Sequence, residues 1–442
     1  MKPSVTRWSA CSPSLTGCGR AGPGGIIPPV ISSKSTPHEP SLRHVAAPVL
    51  LAGLGYFVDI YDLLLFSVVR VPSLTDLGAG ARTLEVGTML LNVQLVGMMI
   101  GGVAWGMLGD RRGRLSVLFG SIFLYSAASL ANGFVTSVEQ YAVLRFVAGV
   151  GLAGELGAGL TLVVELLPPA TRGAAATIVA TMGVTGAVVA ALAGEWLSWR
   201  ACMILGGLMG FALFALRLGV RESPMFDHLR AAGGERGNIL RLFTDRDRFV
   251  RYLRCILIGV PVWFIVGILI TLSPELARSL GVVGEVSAGR AVFWFYAATT
   301  VGDFASGMLS QFWRSRRAAA AVFIALTAIG SVAYLAGAAR TSRDFYLICG
   351  WLGFGTGYWA VTVTMAVEQF GTDLRATVGT SVPTFIRASA VPMLLAFLAL
   401  RGAVGVVGAA AMVGAVAFGG AAWALATQPE TYGKSLDYRE VP

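Results

Sequence analysis

The chain has little of what soluble chemistry is made from. Only 13% of its 442 residues are charged and only three are histidine. His38, His44 and His228 all fall outside the apolar runs, so no histidine is placed to carry protons within them. The five cysteines (Cys11, Cys18, Cys202, Cys255, Cys349) lack metal-ligand spacing. Three of them lie in or beside apolar runs and read as small buried hydrophobes, so no metal site is expected. No Gly-x-x-x-x-Gly-Lys loop is present, which points to work driven by an ion gradient rather than a nucleotide, and no cofactor is expected. Spacing suggests no nucleophile and base pair, so an enzyme is not expected. Alternating ten-residue strands are missing, which excludes a transmembrane β-barrel. Residues 1–44 hold no continuous apolar core, so they read as a disordered cytoplasmic tail rather than a signal peptide.

Apolar residues dominate instead, at 55% of the chain with a mean hydropathy of +0.71. A helix crossing a bilayer core of about 30 Å needs about 20 such residues. Twelve segments satisfy this: Ala46–Val69, Val86–Leu108, Leu115–Gly133, Tyr141–Leu167, Ala174–Leu197, Cys202–Leu218, Tyr252–Leu272, Ala291–Phe312, Ala318–Ala338, Phe345–Val367, Ala376–Leu400 and Ala403–Ala426. The expected fold is an all-α membrane protein with twelve transmembrane helices in two six-helix bundles, 45–219 and 251–427. An arginine-rich cytoplasmic linker, 220–250, joins them, and a short tail, 428–442, follows.

The net charge of +10 does not form a nucleic-acid face, because the positive residues sit in the gaps between apolar runs. With the N-terminus inside, 24 of the 34 lysines and arginines fall on that side, 8 opposite and 2 within the membrane. The positive-inside rule then puts both termini and the linker in the cytoplasm of a multi-pass inner (plasma) membrane protein. Expected partners are the lipid bilayer, protons and a small-molecule substrate, with no nucleic acid, and a monomer is expected.

The two halves repeat. Gly106-Met-Leu recurs as Gly307-Met-Leu, each time before a basic turn, at an offset of 201 residues. Glu165 precedes Arg172 by seven positions and Glu368 precedes Arg375 by the same seven, at an offset of 203. Two coincidences at nearly one offset, on either side of a linker, argue for a duplicated unit with a site where the halves meet.

Gly106-x-Leu-x-Asp110-Arg111-x-Gly113-Arg114 resembles the signature loop between spans two and three of the major facilitator superfamily. Arg145-x-x-x-Gly-x-Gly-x-x-Gly-Glu155, with Glu165-x-x-Pro168-x-x-x-Arg172-Gly173, is similar to span four of its sugar-porter and metabolite–proton symporter branches. Glu222-Ser-Pro224 and Pro429-Glu-Thr431 resemble short motifs those branches carry after spans six and twelve. The resemblance implies alternating access, a cytoplasmic latch at the loop, and a proton-coupling aspartate with an arginine partner at Asp62 and Arg145. In physical terms Asp110 and Arg114 are four apart and can pair, and Glu165 can reach the loop or Arg172. The plain alternative for the loop is a topogenic anchor.

Charges inside a bilayer cost about 2.5–3.5 kcal/mol each on insertion scales, so each one is a functional candidate. Asp59 and Asp62 share a face of span one, Arg145 and Glu155 lie on span four, Asp303 on span eight and Arg387 on span eleven. At about 1.5 Å per residue, Asp62 and Arg145 reach similar depths and are expected to pair, either as a proton switch or as a permanent structural bridge. Glu155 is a second proton site or an interhelical hydrogen bond. Arg387 has no acid on its own span, which suits a receptor for a carboxylate, unless it pairs with Asp303 or another acid. Trp263, Trp294, Tyr296, Tyr358 and Trp359 are candidates to line the substrate space, the alternative being lipid contact.

The resulting expectation is proton-coupled symport of a small organic anion, a carboxylate or aromatic acid. A sugar or polyol symporter and a drug-type antiporter are the alternatives. Span seven lacks the glutamine pair of the resembled sugar porters, and span five lacks the proline of the efflux branches.

Overall fold

The apolar segments are helices, and what interrupts them is as informative as what builds them. A computed structural model describes residues 42–112, 114–166, 169–218, 242–371 and 374–433, with the side chains of 42–48, 106, 109–115, 155–178, 180 and 375–376 excluded. The first half holds α1 (Leu42–Asp76), α2 (Thr83–Arg112), α3 (Arg114–Asn132), α4 (Val138–Leu166), α5 (Pro169–Trp196) and α6 (Trp199–Arg217). The second begins with α7 (Arg246–Phe264), which starts six residues before the expected span and includes residues assigned to the linker. The chain before Leu42 and between Leu218 and Leu242 lies outside the described residues.

Helices of the second half are broken where those of the first run on. Pro261 inside α7 lacks an N–H, and the ladder beyond it widens into a π-helical turn, Ile265–Ile270, before the short α8 (Ser273–Ser279). α9 (Ala288–Phe312) and α10 (Arg316–Leu335) are continuous. The tenth span divides into α11 (Ser342–Thr356) and α12 (Trp359–Glu368) at Gly357. The eleventh divides at Ser389, between α13 (Arg375–Ala388) and α14 (Ala390–Thr427), three residues before Pro392. Within α14 a turn at Gly405 (φ 75°) reverses the chain, so the last span begins there. Ser198, Ser287, Ser315 and Thr341 cap helix starts with their side chains, Thr341 in a capping box with Asp344.

Glycines hold the helices close, and they do so twice. In the first half Gly101 packs on the Val150 backbone and Gly149 on that of Gln94. In the second, Gly302 packs on Phe354 and Gly353 on Phe295. α3 and α4 meet at Tyr125 and Gly151, and α10 and α11 meet at Thr327 and Gly355. These pairs equate the halves at offsets of 201 to 204 residues, so the repeat read from the loops extends through the packing. Without a hydrophobic drive between helices in lipid, such close contact supplies the dispersion that holds them together. At the second copy of the loop, Arg314 takes φ 50°, a left-handed conformation, at the position equated with Gly113. A non-glycine residue there costs about 1 kcal/mol.

The bundle has two ends. α1 begins and α14 finishes at the tail end, where Arg217 of α6 donates to the Leu51 carbonyl and Pro429 meets Gln369. The far end gathers the finish of α1, the loop after α3 and the starts of α6 and α9. There Arg200 bonds the carbonyls of Gly133 and Val135 and reaches Asp76.

Replacing Gly353 by valine forces side-chain atoms into the Phe295 backbone and is expected to destabilise the protein by about 2–3 kcal/mol. Gly307→Ala, where nothing lies within 4 Å, is expected to be neutral or stabilising. Thermal unfolding in detergent compares the two, and equal shifts would refute the packing account.

Candidate functional site

Arg387 stands two residues before the break in span eleven, where α13 packs against α7 through Ile386 and Gly259. The break turns the chain there and leaves its guanidinium at the seam between the halves. It is buried, and its Nη1 lies 3.7 Å from Oδ2 of Asp59 on α1, also fully buried. Of the two readings of Arg387, the pair with an acid holds in place of the unpaired guanidinium, and the acid is Asp59 of the opposite half rather than Asp303. Neither charge is stable alone in such a place, since removing one partner of a buried pair costs about 3–5 kcal/mol. Tyr56 of α1 and Tyr296 of α9, both half-buried, lie close to the same guanidinium.

Asp303 does not pair with Arg387. Its Oδ1 lies 3.5 Å from the Ala360 amide, so it faces the exposed N–H groups at the start of α12. Gly302 and Gly357 bring the two backbones together at that point. Trp359, half-buried, opens the same helix. Trp263 is buried inside α7, and the Tyr358 hydroxyl donates to the Ile258 carbonyl, which ties it to structure. Trp294 is 46% exposed on the outer surface. Of the five aromatic candidates, Tyr296 and Trp359 stay beside the seam, while Trp294 and Tyr358 are directed elsewhere.

Asp62 and Arg145 are neighbours but not direct partners, which corrects the expected pair. Asp62 accepts from Ser129 of α3 at 2.5 Å, and Arg145 donates to the Gln94 side chain of α2. The Arg145 guanidinium lies 4.8 Å over the ring of Phe66, one turn beyond Asp62 on α1. Asp62 thus faces the interior of the first half, where Gly206 of α6 makes room for it, while Asp59 faces the second half. Glu155 lies outside the described side chains.

Of the gating candidates, Gly106, Asp110, Arg111, Gly113, Arg114, Glu165, Arg172 and Arg375 also lie outside the described side chains. Their second-half counterpart is described. Glu368 lies 3.4 Å from Arg316 of the basic turn and accepts from the Thr431 hydroxyl at 2.7 Å. Glu430 accepts from Ser315 and from the amides of Arg316, Thr431 and Tyr432, and the Tyr432 ring lies under Arg316. Burial opposes charge on Glu430, but the Ser315 hydroxyl and these three amides outweigh it and hold the carboxyl down to about 2.

Sequence reasoning missed the far end. Arg70, counted as a topogenic charge, is fully buried and grips Glu275 of α8 at 2.6 Å and 2.7 Å while also donating to the Thr271 carbonyl. Its stem passes over Gly87, where a Cβ would lie 2.7 Å from its Cδ. The hydroxyls of Ser67 and Thr271 meet 3.0 Å apart beside it. Arg290 with Glu195 and Arg401 with Glu85 add two more bridges between the halves at this end. Those outer pairs are partly exposed and worth about 0–1 kcal/mol each, so the buried pair carries the closure. The run Val69-Arg70-Val71-Pro72 gave the one available signal, an arginine embedded in an apolar helix.

Comparison with known proteins agrees with this architecture. The sequence profile described as Major Facilitator Superfamily matches residues 52–391. A Bacillus subtilis (strain 168) protein named for niacin/nicotinamide transport, NiaP, is 27% identical over 367 residues, 79% of this chain and 88% of its own. The 4-hydroxybenzoate transporter PcaK of Pseudomonas aeruginosa is 32% identical over 194 residues, 42% of each chain. In structure, a crystallised D-xylose–proton symporter superposes with a TM-score of 0.69 at 15% identity, covering 89% of this chain and 100% of that one.

Glu275→Gln leaves Arg70 short of its counter-charge and is expected to open the far end. Labelling of a cysteine placed at Ser67 should quicken about tenfold, matching about 1.4 kcal/mol of lost closure, and an unchanged rate would refute the lock. For Glu430 the folded value lies below the 4.5 of a free glutamate, so its stabilising contribution is complete above about 4.5 and is lost as pH falls through about 2. A carbon-13 NMR titration of labelled protein, assigned with Glu430→Gln, should find that midpoint near 2, and one at or above 4 would overturn the assignment of donors.

Proposed function

The chain belongs to the Major Facilitator Superfamily, and on that footing we propose that it is a proton-coupled symporter that takes up a small organic anion across the plasma membrane by alternating access. The buried Asp59–Arg387 pair between the halves carries this reading. A substrate carboxylate competes with Asp59 for the guanidinium, which presents a fork suited to two carboxylate oxygens. Once displaced, Asp59 is a buried carboxylate without its cation, and binding a proton relieves that cost. Loading the anion and loading a proton are thereby coupled at one place. Asp62, near Arg145, serves as the proton's other station, and Tyr296 and Trp359 supply apolar surface for the rest of the substrate.

Two relatives bear on the substrate. The names of NiaP and PcaK refer to niacin or its neutral amide, nicotinamide, and to 4-hydroxybenzoate; niacin and 4-hydroxybenzoate share an aromatic ring bearing a carboxylate. An aromatic acid therefore fits both the charge at the seam and the kin, and a charged pair is poorly suited to a neutral sugar. The excess of basic residues supports a cytoplasmic tail end, so that the far end faces outward and the Arg70–Glu275 pair closes the outward side.

Uptake of labelled niacin and 4-hydroxybenzoate into proteoliposomes is expected to follow an inside-alkaline pH gradient. Arg387→Ala should lower it about a hundredfold, the loss of a buried charge-assisted hydrogen bond. Asp59→Asn should keep exchange of labelled for unlabelled anion while losing accumulation against the gradient. Undiminished uptake by Arg387→Ala would sink the carboxylate reading.

A further inference from the structure

Inside the first half, apart from the Asp59–Arg387 pair, lie buried polar side chains several of whose atoms lack a protein partner. Ser126, Ser129 and Asn132 recur every third residue on α3, share a side of that helix and are fully buried. Ser129 donates to Oδ1 of Asp62. Oδ2 of Asp62, Oγ of Ser126 and both polar atoms of the Asn132 amide have no hydrogen-bond partner, and neither do Nε2 of Gln94 and two nitrogens of Arg145. Each unsatisfied buried group costs about 1–3 kcal/mol, and native proteins meet such groups with ordered water. Asn132 is the last residue of α3 at the far end. Its chain neighbours Ala131, Phe134 and Val135 line an open, mainly apolar groove of about 490 Å³ with Val143 and Leu144, at whose edge stand Glu139 and Gln140; Asn132 lies beneath it, fully buried.

The second half supplies an internal comparison. At the offset that equates α3 with α10, Ser129 corresponds to Ser331 and Asn132 to Tyr334. Both are satisfied within the protein: Ser331 donates to the Thr327 carbonyl, and the Tyr334 hydroxyl donates to the Leu269 carbonyl. Gln94 corresponds to Phe295 and Arg145 to Cys349, so charge is missing there as well. The unsatisfied line is therefore not inherited from the shared architecture. It belongs to the half that holds Asp62.

We propose that this line holds a chain of waters conducting protons from the far-end surface to Asp62 while the passage between the halves is shut. The inference rests on the proton-coupled reading above. An entering hydronium gives a proton to a lone pair of Ser129 Oγ and becomes water, while the original Ser129 proton passes to Asp62. The hydroxyl is regenerated and the carboxylate becomes a carboxylic acid. The titratable or charged groups facing Asp62 are Arg145 and Tyr141 of α4 and Tyr61 of α1, whose hydroxyl donates to the Cys202 carbonyl of α6; from α3, Ser129 meets it. Protons arriving by this route bypass the Arg70–Glu275 lock, so Asp62 can be recharged without opening the substrate path.

The test uses the full-length protein in lipid nanodiscs, with no substrate, and follows the protonated-carboxyl infrared band after a jump from alkaline to acid pH. The wild type is expected to show a band component that Asp62→Asn lacks. Asn132→Leu should slow its rise about tenfold, the effect of losing one hydrogen-bonded water, with the final amplitude kept. Ser129→Ala, which removes the hydroxyl that hands the proton to Asp62, should slow it in the same direction and carries the test if Asn132→Leu fails to assemble. Wild-type rates in both variants would overturn the water line and leave the coupling reading standing. Absence of any Asp62-dependent component would overturn proton coupling at Asp62 and the water line with it.

Discussion

A guanidinium cannot be left alone between two halves of a membrane protein, and much of this structure follows from that constraint. Arg387 and Arg70 are both buried at the seam, and each is met by an acid from the opposite half, Asp59 at the centre and Glu275 at the far end. Coulomb attraction is strong there because water is scarce, yet desolvation consumes most of it, so such pairs are poised rather than simply stabilising. A pair that spans the halves and is nearly balanced can be exchanged for another partner or for water. That is the property a moving seam requires, and it separates these two arginines from Arg200 or Arg316, which brace loops within a single half.

The same constraint explains what could be read from the sequence and what could not. Helix positions were legible because about 20 apolar residues in a row admit little else in lipid. The repeat was legible because Gly106-Met-Leu and Gly307-Met-Leu preserve the loop. Charge inside a span marked Asp59, Asp62, Arg145 and Arg387 as special without saying who meets whom. Depth along a helix estimates one coordinate only. Asp62 and Arg145 share a depth, but the rotation of α1 turns Asp62 toward Ser129 and turns Asp59 toward the second half. Arg70 escaped notice because it falls at the nominal end of a span, where arginines usually report topology. Trp294 and Tyr358 show the same limit, since nothing in their local sequence says that one faces outward and the other spends its hydroxyl on a carbonyl.

The two halves share backbone packing and divide the chemistry. Glycine contacts recur between equivalent helix pairs, and the scaffold is accordingly symmetric. Intact long helices and most of the buried unsatisfied polar atoms lie in the first half. Helix breaks at Ile265, Gly357 and Ser389 lie in the second. Breaks expose backbone groups and let short pieces reorient, which suits the substrate role proposed for that half. Unbroken helices hold buried acids at fixed distances, which suits the proton role proposed for the first half.

Closure is divided along similar lines. The far end is held by side chains reaching across the seam, so its strength depends on charge and is reset whenever a partner changes. The described tail-end cluster around Glu430 lies wholly within the second half, with backbone amides as the main donors. Amides keep their hydrogens at any physiological pH and cannot swing away, so this cluster ties the end of α14 to the turn between α9 and α10 whichever way the halves tilt. The second half can then move as one body through its tail end while its broken helices adjust at the centre. On this argument the far-end lock and the central pair are where the conformational energy is concentrated, and the Glu430 cluster transmits motion without responding to the proton.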